Sequence, residues 1–445
     1  MNIYNFNVKI AVMKNLKIIT YGCQMNVAES ERMAGQLQKI GYTLTEDFET
    51  ADLILFNTCC VRATAEDKIY GKIGEIKKYK RLNPALIIGV VGCLAQKDGE
   101  NLIKHAPHVD FILGTGRRGE LAKVVQDFES KRRQFVDTSN VSGLIDDENI
   151  LPIRAGSVSA FVPIMYGCNN FCTYCIVPHV RGRERSRIPA EIISEVTETV
   201  NAGFKEITLL GQNVNSYNGG KTFPELLRDV DKIDGLQRLR FMTSHPKDLS
   251  DDLISAMAHG KNICEHIHLP VQYGSNKILQ KMNRVYTVES YLELVKKIRA
   301  AIPNISLTTD LIVGFPGETD EDFQATLKFL QEVQFDMAFT FIYSKRTGTP
   351  AATFENQVEE NLKHARLDEL MKLQNKISLE KNLKLDGATV EVLVEGASKT
   401  DKNIFTGRTR QNKLVLFPHE SENVGDIVNV KINQVQTWLF KGQIV

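Results

Sequence analysis

Three short apolar runs in the first third of the chain each close on a cysteine: Leu16-Lys-Ile-Ile-Thr-Tyr-Gly-Cys23, Ala51-Asp-Leu-Ile-Leu-Phe-Asn-Thr-Cys59 and Ala85-Leu-Ile-Ile-Gly-Val-Val-Gly-Cys93. Runs of this kind read as parallel strands buried on both faces. Helical patterns separate them, with Met33, Leu37 and Ile40 in one and Ile69, Ile73 and Ile76 in the other. Strand, helix, strand, helix, strand implies a doubly wound open α/β sheet. Ligands of such sheets bind outside the carboxyl ends of the strands, so the topology gathers Cys23, Cys59 and Cys93 at one edge as a three-cysteine metal site. A free cysteine taken singly is more often a small buried hydrophobe; three at matching strand ends argue for ligands. Cys60 adjoins Cys59 and competes with it, but the Thr-Cys and Gly-Cys strand ends match one another and favour Cys59.

A second set lies in Tyr166-Gly-Cys-Asn-Asn-Phe-Cys-Thr-Tyr-Cys175, where Cys168, Cys172 and Cys175 form a Cys-x3-Cys-x2-Cys triplet after the apolar segment 161–165. Four-iron clusters are usually held by four thiolates, so a tight triplet with no fourth cysteine nearby leaves one iron open to an outside ligand. A structural zinc site closes with four ligands, often as two Cys-x2-Cys pairs, and this chain has no second such pair. The run resembles the signature of the radical S-adenosylmethionine (SAM) enzymes, in which the amino and carboxylate groups of SAM occupy the open iron.

With 445 residues the chain has room for about three domains, and 42% hydrophobic with 24% charged residues is ordinary for a globular protein. No apolar run approaches the roughly 18 residues of a membrane-spanning helix, and residues 1–14 lack the apolar region and cleavage site of a signal peptide. A cytoplasmic protein with no membrane partner is expected. In a reducing compartment its eight cysteines are expected to be ligands or catalytic thiols rather than disulfides. The net charge of +1 exerts no global pull on nucleic acid, so RNA binding must come from local patches.

The polar run 131–156 marks the first domain boundary. Beyond it, strand candidates at 161–165, 206–210, 239–243, 265–269, 306–313 and 337–343 alternate with helical patterns such as 188–201, implying an open six-unit β/α barrel. A polar helix at 354–385, with Leu367, Leu370, Met371 and Ile377 on one stripe, bridges to short strands at 389–394, 413–417, 427–432 and 437–444, with turns at Gly396, Gly407 and Gly425.

From about Leu16 to the C-terminus the chain resembles the radical SAM methylthiotransferase family. The resemblance rests on Tyr21-Gly-Cys-Gln-Met-Asn26, Leu210-Gly-Gln-Asn-Val-Asn-Ser-Tyr217, Thr243-Ser-His-Pro246 and Tyr343-Ser-Lys-Arg-Thr-Gly-Thr-Pro350, which look most like the branch acting on isopentenylated adenosine-37 of tRNA. It implies an α/β protein of three parts. These are a doubly wound N-terminal domain with an auxiliary cluster (15–130), a partial (β/α)6 radical SAM barrel (154–384) and a small C-terminal β-barrel, the TRAM domain (387–445). The implied cofactors are two [4Fe-4S] clusters and SAM. One SAM methylates a sulfur on the cluster of Cys23, Cys59 and Cys93; a second, cleaved reductively at Cys168, Cys172 and Cys175, yields a radical that takes hydrogen from C2 of the adenine. The implied partners are a tRNA anticodon stem-loop and an electron donor such as flavodoxin or ferredoxin, with the chain acting as a monomer.

Barrel active sites lie at the carboxyl ends of the strands, which makes Tyr174, Gly211, Gln212, Asn213, Ser244, Gln272, Asp310, Ile312 and Gly314 candidates for binding SAM. Gly211-Gln-Asn stands where radical SAM enzymes often carry Gly-Gly-Glu, and Asp310 stands where a related motif has glycine. Cys264, His266 and His268 alternate on one strand, a pattern that an inward-facing barrel strand gives without metal. Arginines at 181, 183, 185 and 187, and Lys399, Lys402, Arg408, Arg410 and Lys413 with Phe405, are candidate RNA contacts; Lys77, Lys78, Lys80 and Arg81 form a further basic cluster at a helix end. Competing readings are methylthiolation of threonylcarbamoylated adenosine or of a ribosomal-protein aspartate and, outside catalysis, an iron–sulfur RNA-binding module.

Overall fold

The structure is a computed structural model that describes residues 13–60, 63–139 and 150–445. Nearly all of the 1–14 segment and the middle of the 131–156 connector lie outside the described residues. The chain forms two compact units, one of residues up to Ala155 with His179–Gly182, the other of Gly156–Pro178 with Arg183–Val445.

The first unit is a six-stranded sheet in the order Tyr42–Leu44, Lys14–Thr20, Leu53–Thr58, Ile87–Gly92, Phe111–Leu113, Phe135–Asp137. Every neighbouring pair is parallel. Leu53, Leu55, Ile87 and Val91 pack with Met33, Leu37 and Phe128 on one face, while the alternate residues Ile54, Phe56, Ile88 and Val90 are equally buried. Both faces are covered, which is why these strands read as unbroken apolar runs. The strands Tyr42–Leu44, Phe111–Leu113 and Phe135–Asp137 escape the sequence reading because three residues carry no usable period. The order reverses between Lys14–Thr20 and Leu53–Thr58, and such switch points open the crevice where ligands of doubly wound sheets bind.

In the second unit six parallel strands make two three-stranded sheets: Arg238–Met242, Glu206–Leu210 and Ser159–Pro163 in one, His266–His268, Ser306–Val313 and Met337–Ile342 in the other. A single parallel bridge, Leu239 to Ile263, joins them. Among the described residues the first and last strands do not pair with each other, so the barrel is open. Ile207, Leu209, Leu239, Ile267, Leu307 and Leu311 face the helices and fill the core, each contributing about 1.5–3 kcal/mol by burial. Their alternates Thr208, Arg240, His266, His268, Thr308 and Asp310 line a polar inner face. The strand expected at 161–165 ends at Pro163, one last ladder bond running from Ile164 N–H to the Leu210 carbonyl at 2.9 Å. Met165–Tyr166 instead pairs antiparallel with Arg185–Ser186.

The bridging helix is Glu360–Leu383. Its expected apolar stripe is corrected: Leu370 and Ile377 are buried but Met371 is exposed, and Lys363, Arg366, Gln374, Ser378 and Asn382 share the buried face. Buried polar partners hold them, as in Arg366 to Glu318 at 2.9 Å. The C-terminal domain is a closed barrel of five strands, not four, because Ile404–Arg408 is a strand and Gly407 lies within it rather than in a turn. Its Thr, Gly and Arg content hid it. Gly396 sits at a bulge in Thr389–Ala397.

This barrel docks on the amino ends of the core strands. Arg240 donates to Glu206 and to the carbonyls of Arg410 and Thr409 at 2.7, 2.8 and 2.8 Å. Arg410 forks onto Glu265, and Asp336 accepts from Lys381 at 2.6 Å and Lys413 at 3.1 Å. Arg410 and Lys413 are therefore committed to docking, which corrects their reading as RNA contacts. Among the described residues no helix is long and apolar enough to cross a membrane.

Burial opposes ionisation of Asp336, but Lys413 and Lys381 hold its carboxyl below the usual 3.8. A depressed carboxylate stabilises the fold above its unfolded value, and that contribution is lost as pH falls through the lower folded value. Asp336→Asn should cost about 3 kcal/mol at pH 7, the scale of removing one partner of a buried pair. In urea unfolding the parent should lose part of this advantage as pH drops below 3.8, whereas the variant should not.

Candidate metal centres

The first three cysteines stand at consecutive strand ends of the first unit: Cys23 begins the turn into helix Gln24–Gln38, Cys59 follows Leu53–Thr58, and Cys93 opens helix Cys93–His105. Cys23 is exposed and the other two are buried. Behind them lies a polar lattice. Asn26 donates to the Thr58 carbonyl at 3.0 Å and to Asn57 at 3.2 Å, and Asn57 donates back to the Asn26 carbonyl at 2.8 Å. Arg181, buried, pairs with the buried Glu29 at 2.6 Å and interacts electrostatically with Cys93 and Cys23. Cys60 is fully buried, and its thiol lies in hydrogen-bonding contact with Cys93; that contact, and the Arg181 charge, hold the Cys93 thiol below its usual range.

Gly22 sets the approach of the first two cysteines. Its φ is +124°, and a Cβ there would fall 2.7 Å from the Cβ of Cys59. Only glycine takes that backbone conformation and leaves that space.

In the second unit Cys168, Cys172 and Cys175 lie on the loop bracketed by Met165–Tyr166 and Arg185–Ser186, close enough to influence one another electrostatically. Burial pushes the Cys168 thiol up and the Cys175 thiol to about 12. The buried Arg284 offsets this: its Nη1 donates to Cys172 Sγ at 3.5 Å, its Nη2 to the Pro270 carbonyl at 2.6 Å and its Nε to Tyr286 Oη at 2.8 Å. Asn283 donates to the carbonyls of Asn170 and Phe171 at 3.3 and 3.1 Å, fixing the loop.

The residues expected around SAM fall into two groups. Gly211, Gln212, Asn213 and Ser244 follow the strands Glu206–Leu210 and Arg238–Met242. Gln212 accepts from the Gly167 amide, tying this edge to the cysteine loop. Asn213 is fully engaged, donating to Asp248 at 2.7 Å and accepting from the His245 amide at 3.1 Å, so it braces the loops. Ser244 Oγ is buried with no hydrogen-bond partner among the described residues. The second group is knitted by backbone bonds: Gln272 N–H to the Asp310 carbonyl at 2.9 Å and Ile312 N–H to the Gln272 carbonyl at 3.0 Å. Gly314 ends this strand against the stem of Lys363. Tyr174 is half-buried beside Cys172 and Arg284. Thr243 and Gln272 have φ of +72° and +71°, uncommon for residues with side chains and typical of strained functional positions.

Other candidates sort differently. His266 and His268 both share a hydrogen bond with Thr308 Oγ1, at 3.2 and 3.0 Å, and burial keeps His266 neutral. Of the four arginines at 181–187, Arg187 is locked to Glu195 at 2.8 Å and Arg181 to Glu29, so neither is available to phosphate. Arg183 is exposed, stacked over Phe171 at 4.2 Å. Lys80 is held by Asp110.

Three family models match the chain: the uncharacterized protein family UPF0004 over residues 15–114, the radical SAM superfamily over 162–330 and the TRAM domain over 384–445. The tRNA-2-methylthio-N(6)-dimethylallyladenosine synthase of Carboxydothermus hydrogenoformans is 53% identical over 438 residues, 97% of this chain and 99% of that one. The protein of the same name from Clostridium novyi is 51% identical and covers 100% of this chain and 98% of its own. The chain belongs to the tRNA-2-methylthio-N(6)-dimethylallyladenosine synthase family. A radical SAM methyltransferase, TsrM, from Kitasatospora setae shares the fold at a TM-score of 0.58 and 14% identity, over 76% of this chain and 73% of that one.

As a radical SAM enzyme, this family member uses [4Fe-4S] clusters and SAM as cofactors. Among the described residues no three His, Cys, Asp or Glu side chains converge as ligands of a single ion would. A four-iron cluster asks for something wider, one sulfur on each of three irons, and each set offers three sulfurs backed by one buried arginine. At the adjoining strand end the buried Ser244 Oγ is left with an unused hydroxyl among the described residues. The sequence reading missed Arg284, which lies 112 residues from the sulfur it touches and so carries no local signal, and it took Arg181 for an RNA contact rather than a buried neighbour of Cys93. It also missed Phe339, whose ring is 45% exposed although it lies on the inner face, edge-on to His268. Gly22→Ala should push Cys59 aside and lose about 1–3 kcal/mol, the cost of a residue forced into a disfavoured backbone region; urea unfolding of the purified protein measures it.

Proposed function

We propose that this protein methylthiolates C2 of N6-isopentenyladenosine-37 in tRNA, consuming two SAM molecules and a sulfur carried on an auxiliary cluster. The observation that carries this reading is the pairing of two incomplete cysteine sets in a chain 53% identical, end to end, to a synthase of that name. A cluster with only a structural role gains nothing from an open iron, which weighs against a purely RNA-binding module.

In this reading Cys23, Cys59 and Cys93 hold one cluster, and Cys168, Cys172 and Cys175 the other. When bound, the clusters and SAM supply the reducing electron, the hydrogen abstraction, the methyl group and the sulfur. The chain's own residues bind and orient. Ser244 and Gln272 face SAM across the strand ends, with Tyr174, Gly211, Gln212, Asp310, Ile312 and Gly314 shaping the site and Asn213 bracing it. The open side of the barrel admits a base splayed out of an anticodon loop, and Phe339 gives it an aromatic surface. Lys399 and Lys402, both exposed, and Phe405, stacked on His419 at 3.9 Å, are the RNA contacts retained for the C-terminal barrel. We divide the chain into functional segments 15–130, 154–384 and 387–445, and assign it to the cytoplasm as a monomer reduced by a flavodoxin or ferredoxin.

Anaerobic reconstitution followed by iron and sulfide analysis, with product assay on an isopentenylated anticodon stem-loop, tests this. The parent should hold about eight irons and form methylthioadenosine. Cys59→Ala and Cys172→Ala should each hold about four and form none, Cys172→Ala also losing 5′-deoxyadenosine production while still binding the RNA. Cys60→Ala should keep both clusters. A fully loaded parent that is inactive on this RNA but active on a threonylcarbamoylated stem-loop or a ribosomal protein would move the substrate to that competitor.

A further inference from the structure

We propose that Arg284 raises the reduction potential of the cluster held by Cys168, Cys172 and Cys175, acting as a positioning and tuning residue for the electron that starts the reaction. The inference rests on the ligand assignment proposed above.

Arg284 is buried, at 7% exposure, and always charged. Among the described residues its guanidinium has no carboxylate partner, unlike Arg181 with Glu29, Arg187 with Glu195, Arg240 with Glu206 and Arg366 with Glu318. A buried cation without a counter-charge is costly, so something else must neutralise it. Among the described residues the group it touches that becomes anionic on binding metal is Cys172 Sγ, 3.5 Å from Nη1, and Cys175 also lies within its electrostatic range. The other two arms of the fork are fixed: Nη2 donates to the Pro270 carbonyl at 2.6 Å, and Nε to Tyr286 Oη at 2.8 Å. The Tyr286 ring lies 5.1 Å from the guanidinium carbon, and the Tyr286 hydroxyl donates in turn to the Val271 carbonyl at 2.8 Å. The cation cannot swing away from the sulfur without breaking this frame.

Adding an electron makes a cluster more negative by one charge. A fixed cation and an N–H donor at a ligand sulfur favour that state, more strongly in a buried site than in water. Arg284 thus eases reduction of a cluster that must pass its electron onward, and its rigid frame keeps the effect constant through turnover.

The test is potentiometric titration of the reconstituted holoenzyme, monitored by electron paramagnetic resonance, in the parent, Arg284→Gln, Arg284→Lys and Tyr286→Phe. Arg284→Gln should disfavour reduction by about tenfold, equivalent to about 59 mV for one electron. Arg284→Lys, which keeps the charge but not the fork, should shift less, and Tyr286→Phe, which keeps the guanidinium but removes one arm of its frame, should shift in the same direction by less than Arg284→Gln. A glutamine variant that loads iron fully at the parent potential overturns the proposal. Independently of any variant's stability, parent protein with 15N-labelled arginine should show a nitrogen coupling to the reduced cluster in pulsed resonance; none detected overturns the proposal as well. A parent that loads only the Cys23, Cys59 and Cys93 cluster defeats the ligand assignment instead, and is recognised by its iron content before any potential is measured.

Discussion

Most of the cysteine sulfur in the two sets is held out of water, with Cys23 the exposed exception, and burial of a group suited to carrying negative charge organises both sets. Burial alone drives a thiol toward its neutral form, as it does for Cys175, and a neutral thiol is a poor ligand. Each set therefore has a buried cation beside it. The two solutions differ. Arg181 is itself neutralised by Glu29, so the first site is nearly balanced before any metal arrives. Arg284 has no carboxylate beside it among the described residues and points its guanidinium at the Cys172 sulfur instead.

Parallel strand topology then separates two jobs within the second unit. The carboxyl ends of the strands carry the cysteine loop, the partnerless Ser244 and the strained Thr243 and Gln272. The amino ends carry Arg238, Glu265 and Asp336, which bond the C-terminal barrel, and Glu206, which holds the docking Arg240. In β/α barrels function sits at the first edge and stability at the second, and the charged residues follow that division. Conversely, two of the basic residues that make the C-terminal domain look RNA-binding in the sequence are consumed at this inner junction.

How much was legible follows from how local each signal is. The cysteine triplet, the strand-end cysteines and the six core strands are written in contiguous residues, and the expected α/β, barrel and TRAM architecture emerges from them. The three-residue strands of the first sheet and the Ile404–Arg408 strand are too short or too polar to show a period. The stripe on helix Glu360–Leu383 misled because it is buried through Arg366, Gln374 and Asn382, whose partners lie 48, 39 and 54 residues away. Arg284 could not be found locally, being 112 residues from the sulfur it touches. The arginine run 181–187 overstated its own meaning, because a charge run is silent about which members will be buried against a carboxylate.

The strained backbone at the functional edge has a physical rationale of its own. Phe171, Thr243, Gln272 and Asn283 all have positive φ, and each such residue costs on the order of 1–3 kcal/mol. They are tied together rather than scattered: Asn283 holds the Phe171 carbonyl, Val214 N–H bonds to the Thr243 carbonyl, and Gln272 is clamped between Asp310 and Ile312. A strained conformation persists only where its surroundings over-determine it, and here the determinants are backbone bonds at the strand ends together with the side-chain amide of Asn283. Radical chemistry requires reacting groups that do not wander, so a rigid rim around the cysteine loop is a reasonable return for strain that the apolar layer beneath the strands can absorb.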